Sequence, residues 1–385
     1  MMPQPSSPAV ASPTMALVLQ GGGALGAYHI GAYQALAEHQ VHPDWVAGIS
    51  IGAINAAIIA GNPPDDRVER LDALWQAISW PDFAGGLDDA PWRIAHNFAS
   101  GAEALLFGQP NFFRPRPVNP WLVPHAAADA CSFYDTAPLL LTLRRFADFV
   151  LINHGAVRLS LGATNLATGA LEFFDNRRQA IAPEHVLASA SLPPGFAATR
   201  IGDDYYWDGG CVSNTPLDAI VDEPGCPHIV AFVIDLWNPV GPPPHSINEV
   251  LWRAKQIQYA SRVAHQIEAV ATRMNLRRAL DLLAASAAPP EPTASMPRRL
   301  DIVHIVYRPN AAELPNSDAE FSRLSIAARR AAGYRDMHAA LVAAPWRRQS
   351  PPPHVAAMIH RVERETVTTQ REPGLRSTQD VSVAA

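Results

Sequence analysis

The stretch MALVLQGGGALGAYHIGAYQALAEHQVHPDWVAGISIGAINAAIIAG, residues 15–61, holds the fold in miniature. Met15-Ala-Leu-Val-Leu-Gln20 is a short continuous apolar run bounded by glycines, as expected of a strand buried on both faces of a parallel sheet. After the glycines, Ala24 to His39 carries Leu25, Tyr28, Ile30, Tyr33 and Leu36 at helical spacing. Trp45-Val-Ala-Gly-Ile49 reads as a second short strand ending at Ser50, and Ile51 to Ala60 as an apolar helix stopped by Gly61 and Pro63-Pro64. Strand, glycine turn, helix, strand, helix predicts an α/β domain with a mostly parallel sheet.

Downstream, Asp65 to Ser79 reads as an amphipathic helix, and the next forty or so residues, to Pro124, as irregular. That segment is rich in Trp, Phe and Pro (Trp92, Phe98, Phe107, Phe112, Phe113, Trp121), a candidate cap. A helix at Thr136–Phe149 leads to two β-type runs, Val157–Thr164 and Leu171–Phe174, around the turn at Ala167-Thr-Gly169. A small helix near Pro183–Ser191 follows, then a tight Gly202-Asp-Asp204 turn between Ala198–Ile201 and Tyr205–Trp207. His228–Leu236 is another buried strand, Ile247–Leu283 a long helix, Ala285–Pro297 a linker, Leu300–Tyr307 a strand and Phe321–Val342 a helix.

The chemistry concentrates at three glycine-rich places. Gly48-Ile-Ser-Ile-Gly52 is a G-x-S-x-G between a predicted strand and a predicted helix, the context a nucleophile elbow requires. A serine on so sharp a turn has its hydroxyl exposed, and the helix beginning at Ile51 aims unpaired amides and a positive dipole end at the same spot. Gly21-Gly-Gly-Ala-Leu-Gly26 fits G-x-G-x-x-G, but a dinucleotide site needs an acid at the end of the second strand, where this chain has Ser50. The same amides serve equally as an oxyanion hole beside the elbow. At Tyr206-Trp-Asp208-Gly-Gly210 a carboxylate stands among aromatics, where desolvation raises its proton affinity, beside two residues without Cβ that leave room for Ser50. A plain turn cap is the competing use of Asp208.

These three motifs in this order closely resemble the patatin-like phospholipase family, over about residues 15–240, including Ala188-Ser-Ala-Ser-Leu-Pro-Pro-Gly195 ahead of the D-G-G. The resemblance implies a patatin-like three-layer α/β/α sandwich and a serine acyl hydrolase cleaving carboxyl esters of lipids through a Ser50 and Asp208 dyad, with an acyl-enzyme intermediate. It implies Gly21, Gly22 and Gly23 as the oxyanion loop, with Gly26, Gly48, Gly52, Gly209 and Gly210 supporting the turns. In one departure, Leu25 stands where many members carry Arg. The division expected is a disordered tail at 1–14, the hydrolase domain at 15–240, a C-terminal extension at 241–345 that is helical with one added strand, and a mostly disordered tail at 346–385.

Two other readings stay open: a non-catalytic lipid or acyl binder, and a Ser-His-Asp esterase using His228 or His304, the histidines near predicted strands after Asp208. His29, on the first helix, is read as core or surface. No His, Cys or carboxylate cluster has metal spacing, and neither a metal nor a nucleotide cofactor is expected. Net charge is −6 in 385 residues without a long basic run, which sets nucleic acid aside and leaves any membrane-surface contact hydrophobic and transient. Cys131, Cys211 and Cys226 have no paired spacing and are expected to be buried reduced thiols. With no secretory-signal pattern and no apolar run of about eighteen residues, a cytoplasmic enzyme is expected.

Overall fold

A computed structural model describes residues 12–81, 90–123, 125–221, 226–285, 299–309, 317–349 and 351–370. Residues 1–11 of the tail expected at 1–14, most of the linker after Ala285 and the end of the C-terminal tail lie outside these residues, while Thr14 already belongs to the first strand. The strands are β1 (Thr14–Leu19), β2 (Trp45–Gly48), β3 (Arg114–Pro115), β4 (Tyr134–Asp135), β5 (Arg158–Asn165), β6 (Leu171–Asp175), β7 (Thr199–Ile201), β8 (Asp204–Asp208), β9 (His228–Asp235), β10 (Arg299–Val306), β11 (Ala357–Glu363) and β12 (Thr366–Gln370). The helices are α1 (Tyr28–Glu38), α2 (Ile51–Ala60), α3 (Arg67–Ala77), α4 (Ala90–Phe107), α5 (Ala137–Phe146), α6 (Phe149–His154), α7 (Pro183–Ser189), α8 (Asp218–Val221), α9 (Ile247–Ala285), α10 (Arg323–Ala343) and α11 (Pro345–Arg348).

Ten strands form one sheet in the order β12-β11-β10-β9-β1-β2-β5-β8-β7, with β6 also paired to β5. From β11 through β5 the neighbours run parallel, in register Leu19 to Gly48 and Gly48 to Leu161. The pairs β5 with β6, β5 with β8, β7 with β8 and β11 with β12 are antiparallel. Side chains alternate faces along a strand. Leu17, Leu19, Val46, Leu161, Phe232 and Ile234 therefore pack with α1, α2 and α10, while Ala16, Val18, Ala47, Ala231 and Val233 pack with α8 and α9. That is the expected three-layer α/β/α sandwich.

The C-terminal part departs from the expected extension and tail. β10 and β11 continue the same parallel sheet beyond β9, and α10 packs in the same core as α1. Residues 357–370, expected in the tail, form β11 and β12. The proline run 351–353 and the charged residues of β11 hid the strand, because its polar side chains are paired across the sheet. His360 is fully buried and its Nε2 lies 2.9 Å from Asp301 Oδ1. Burial pushes the Asp301 carboxyl up, but hydrogen bonds from His228, His360 and Arg299 outweigh it and hold it down at about 2. A second departure is α4, an eighteen-residue helix inside the span expected to be irregular.

α1 and α10 approach at backbone distance. A methyl on Gly31 would lie 1.8 Å from Arg330 O, and one on Gly333 would lie 2.0 Å from Tyr28 O. Arg330 then reaches across to Asp72 Oδ1 at 2.8 Å and to Gln34 Oε1 at 2.9 Å. Gly31→Ala must push the two helices apart. We expect it to lower unfolding free energy by about 1–3 kcal/mol, seen as a reduced denaturant midpoint, while Ala32→Gly on the same helix costs only about 1 kcal/mol.

Candidate active site

Ser50 sits between β2 and α2 with φ 59° and ψ −128°, a left-handed conformation that a residue bearing Cβ adopts only under constraint. The constraint is steric and hydrogen-bonded. Gly48 and Gly52 meet so closely that a methyl on Gly48 would lie 2.4 Å from Gly52 O, and one on Gly52 would lie 2.2 Å from Leu19 O. The Ser50 amide donates to Ser189 O at 3.0 Å and to Ser189 Oγ at 3.2 Å, and Ser189 Oγ donates to Gly162 O at 2.6 Å. The first turn of α2 is thereby held with Ser50 at its positive end.

Asp208 ends β8 and is 1% exposed. Its amide donates to Ser191 O at 2.9 Å, and its carbonyl accepts from Thr164 Oγ1 at 3.0 Å. Oδ1 accepts from the Gly210 amide at 2.7 Å. Oδ2 is buried and accepts no hydrogen bond of normal length and angle among the described residues. Burial raises the carboxyl to about 7, against a smaller opposing effect of the nearby Ser50 side chain and the Gly210 amide. The Ser50 side chain is thus the neighbouring group that opposes the effect of burial on the Asp208 carboxyl. Gly209 packs on the neighbouring strand, where a methyl would lie 2.7 Å from Gly162 O.

The glycine turn lies against both. A methyl on Gly21 would lie 2.9 Å from Ser50 Cβ and 2.2 Å from Asn214 Oδ1, and one on Gly26 would lie 2.7 Å from Ile51. The Gly21 carbonyl accepts from Asn214 Nδ2 at 2.7 Å and from Trp237 Nε1 at 2.9 Å. The Gly21 amide donates to Asn214 O at 3.2 Å. That bond withdraws Gly21 from the three donors expected of this loop. The amides of Gly22, Gly23 and Ile51 have no protein acceptor among the described residues.

Sequence reasoning did not single out Ser189, Asn214, Trp237 or Gln20. Trp237 and Gln20 carry no local signal: Gln20 bonds Thr215 Oγ1 at 3.0 Å and the Leu236 amide at 2.6 Å, contacts far apart in sequence. Neither rival histidine stands with the pair. His228, at the start of β9, has Nε2 2.7 Å from Asp301 Oδ2, and His304 Nε2 lies 3.2 Å from Asp235 Oδ2. His304 is on β10, three strands from β2 or about 14 Å at ~4.8 Å per strand. His29 is fully buried, with Nδ1 3.1 Å from Asn55 Nδ2, and burial lowers it to about 3. The three cysteines are free, but Cys131 and Cys211 are exposed and Cys226 half-buried, not buried as expected. No three or more His, Cys, Asp or Glu side chains among the described residues could hold a metal.

A family model described as patatin-like phospholipase matches residues 17–221, more than half the chain. The chain belongs to the patatin-like phospholipase family. A second model, described as patatin phospholipase, matches residues 257–353, the part of this patatin-like chain that adds α9, β10 and α10. Triacylglycerol lipase SDP1L of Arabidopsis thaliana is 33% identical over 79 residues, 20% of this chain and 10% of that protein. Patatin-like phospholipase domain-containing protein ZK370.4 of Caenorhabditis elegans is 46% identical over 59 residues, 15% of this chain and 4% of its own length. Human patatin-like phospholipase domain-containing protein 6 is 44% identical over 62 residues, 16% and 4%. The matched stretches thus span a tenth or less of these relatives. VipD of Legionella pneumophila aligns over 86% of this chain and 67% of its own at 15% identity and a TM-score of 0.35.

The buried carboxylate has a thermodynamic signature. Between the unfolded value near 3.8 and the folded value near 7, the unfolded chain has released a proton that folded Asp208 keeps, so stability falls as pH rises through that window and levels off above it. Asp208→Asn should abolish this slope and leave the variant more stable than the parent at pH 8 by about 1–4 kcal/mol, with little difference at pH 4, read from denaturant melts at both pH values.

Proposed function

We propose that the protein is a serine acyl hydrolase that cleaves carboxyl esters of lipids, with Ser50 as nucleophile and Asp208 as the base. The observation that carries this reading is the buried Asp208, raised to about 7, with one oxygen tethered and the other unpaired beside a serine held in a strained turn. Such strain and such an unpaired buried oxygen are costly in a purely structural role.

In this mechanism ionised Asp208 takes the Ser50 proton as Oγ attacks the ester carbonyl. The carbonyl oxygen becomes an oxyanion held by the Gly22, Gly23 and Ile51 amides, at the positive end of α2. Collapse breaks the bond to the alcohol, which leaves with the proton from Asp208, and Ser50 remains acylated. Water then attacks the acyl-serine, Asp208 accepts its proton, and the fatty acid departs as Ser50 recovers a proton. Removing one such donor typically costs about 10²–10³ in rate.

The same reading includes transient contact with a lipid surface. Phe107 is 68% exposed and Trp121 83% exposed. Between them in the chain, Phe113 and Phe112 pack on Phe196 at 5.1 and 6.2 Å, five residues along from Ser191, whose carbonyl accepts from the Asp208 amide. No helix among the described residues is long and apolar enough to cross a membrane.

Wild-type protein should hydrolyse p-nitrophenyl esters and react with a fluorophosphonate at Ser50, with kcat/KM rising as pH increases through about 7 as Asp208 ionises. Ser50→Ala and Asp208→Asn, still folded by circular dichroism, should lose at least about 10³-fold of that activity; turnover retained in either variant refutes the dyad. The double change Phe107→Ser and Trp121→Ser should lower hydrolysis of vesicle phospholipid several-fold and leave a short soluble ester untouched. An equal loss on both substrates would rule out the surface contact.

A further inference from the structure

The glycine turn is braced from the C-terminal half of the chain by a buried cation. Ala24 O accepts from Arg329 Nη1 at 3.1 Å, and the same nitrogen donates to Glu320 O at 2.9 Å. Arg329 Nη2 lies 3.5 Å from the Glu320 carboxylate, and each side chain is 1% exposed. A buried guanidinium is costly unless its geometry is fully used, and its planar fork fixes the direction of the carbonyls it binds more tightly than an ammonium would.

A second contact acts on the same turn. Gly23 has φ +54°, and a methyl there would lie 2.1 Å from Asp318 O, so the backbone at Asp318 rests directly on a residue whose amide is one of the proposed oxyanion donors. Asp318 is fixed in turn by Lys255 Nζ at 2.8 and 2.9 Å. Asn214 and Trp237 hold the Gly21 carbonyl at the front of the turn, while Asp318, Glu320 and Arg329 hold Gly23 and Ala24 behind it. The turn's own side chain at position 25 is a buried leucine, so the cation beside it is supplied by α10.

We propose that Arg329 is a positioning residue for acyl transfer, one that fixes the Ala24 carbonyl and so turns the Gly22 and Gly23 amides toward the oxygen that becomes negative when Ser50 attacks. The proposal rests on the acyl-hydrolase reading and deepens it. It also gives residues 317–329 a task in the site itself. Displacement of an oxyanion donor by about 1 Å is enough to cost about 10²-fold, so the effect belongs in kcat.

The test compares wild type, Arg329→Met, Arg329→Lys and Glu320→Gln by p-nitrophenyl ester kinetics and by amide hydrogen exchange. We expect Arg329→Met to lose about 10- to 100-fold in kcat with KM within about threefold. Arg329→Lys should recover part of that loss. Exchange should quicken in peptides covering residues 20–28 and stay unchanged in those covering 228–236. An unchanged kcat in Arg329→Met overturns the proposal, as does exchange that quickens equally in both regions, which would mark a general loss of stability. If Arg329→Met fails to fold, Arg329→Lys and Glu320→Gln decide by the same two readouts. Wild type lacking Ser50-dependent turnover would refute the hydrolase reading separately, leaving the exchange comparison to judge the brace.

Discussion

The burial of one ionisable carboxyl governs this structure. Asp208 is 1% exposed, yet its two oxygens are treated differently, one bonded to the Gly210 amide and the other left unpaired. Desolvating a carboxylate without full compensation costs several kcal/mol, on the order of the whole stability of a domain. The surrounding sheet supplies what makes this tolerable: a backbone fixed on one side by Ser191 and on the other by Thr164, so that the side chain cannot swing out to water. The strained conformation of Ser50 is a second cost at the same place, and the two together identify where the rest of the core spends its surplus.

Much of this was legible because the decisive contacts are local. The strands before Gly21 and Ser50 are short continuous apolar runs, and the glycines mark places where backbones must meet: Gly48 with Gly52, Gly21 with Ser50. Steric demands of this kind leave their mark in a few adjacent residues. Hydrogen bonds between distant side chains leave none. Nothing near Trp237 announces that its indole reaches back to Gly21, and nothing in the sequence around Gly21 says that its amide will be taken by Asn214. The engagement of the Gly21 amide is illegible in the sequence for that reason.

The C-terminal part was misjudged for a related one. Composition near residue 351 is rich in proline and charge, which ordinarily indicates a segment that cannot bury enough surface to fold alone. β11 does not fold alone. Its His360 finds Asp301 and its edge is covered by β12, so the polar residues that argued against a strand are the ones that secure it. Likewise α10 is only weakly amphipathic because it touches two things, the core through Met337 and the glycine turn through Arg329. The described residues beyond about 245 are thus continuous with the patatin-like core in sheet and packing alike.

Ser189 and Ser191 are two positions apart in one short segment, and the first is tied to Ser50 while the second is tied to Asp208. The backbone amides of both residues are therefore anchored on one stretch of three residues, so the turn that carries the hydroxyl and the strand end that carries the carboxylate share a support. The spacing of the pair is thus set through one common support rather than through two separate ones.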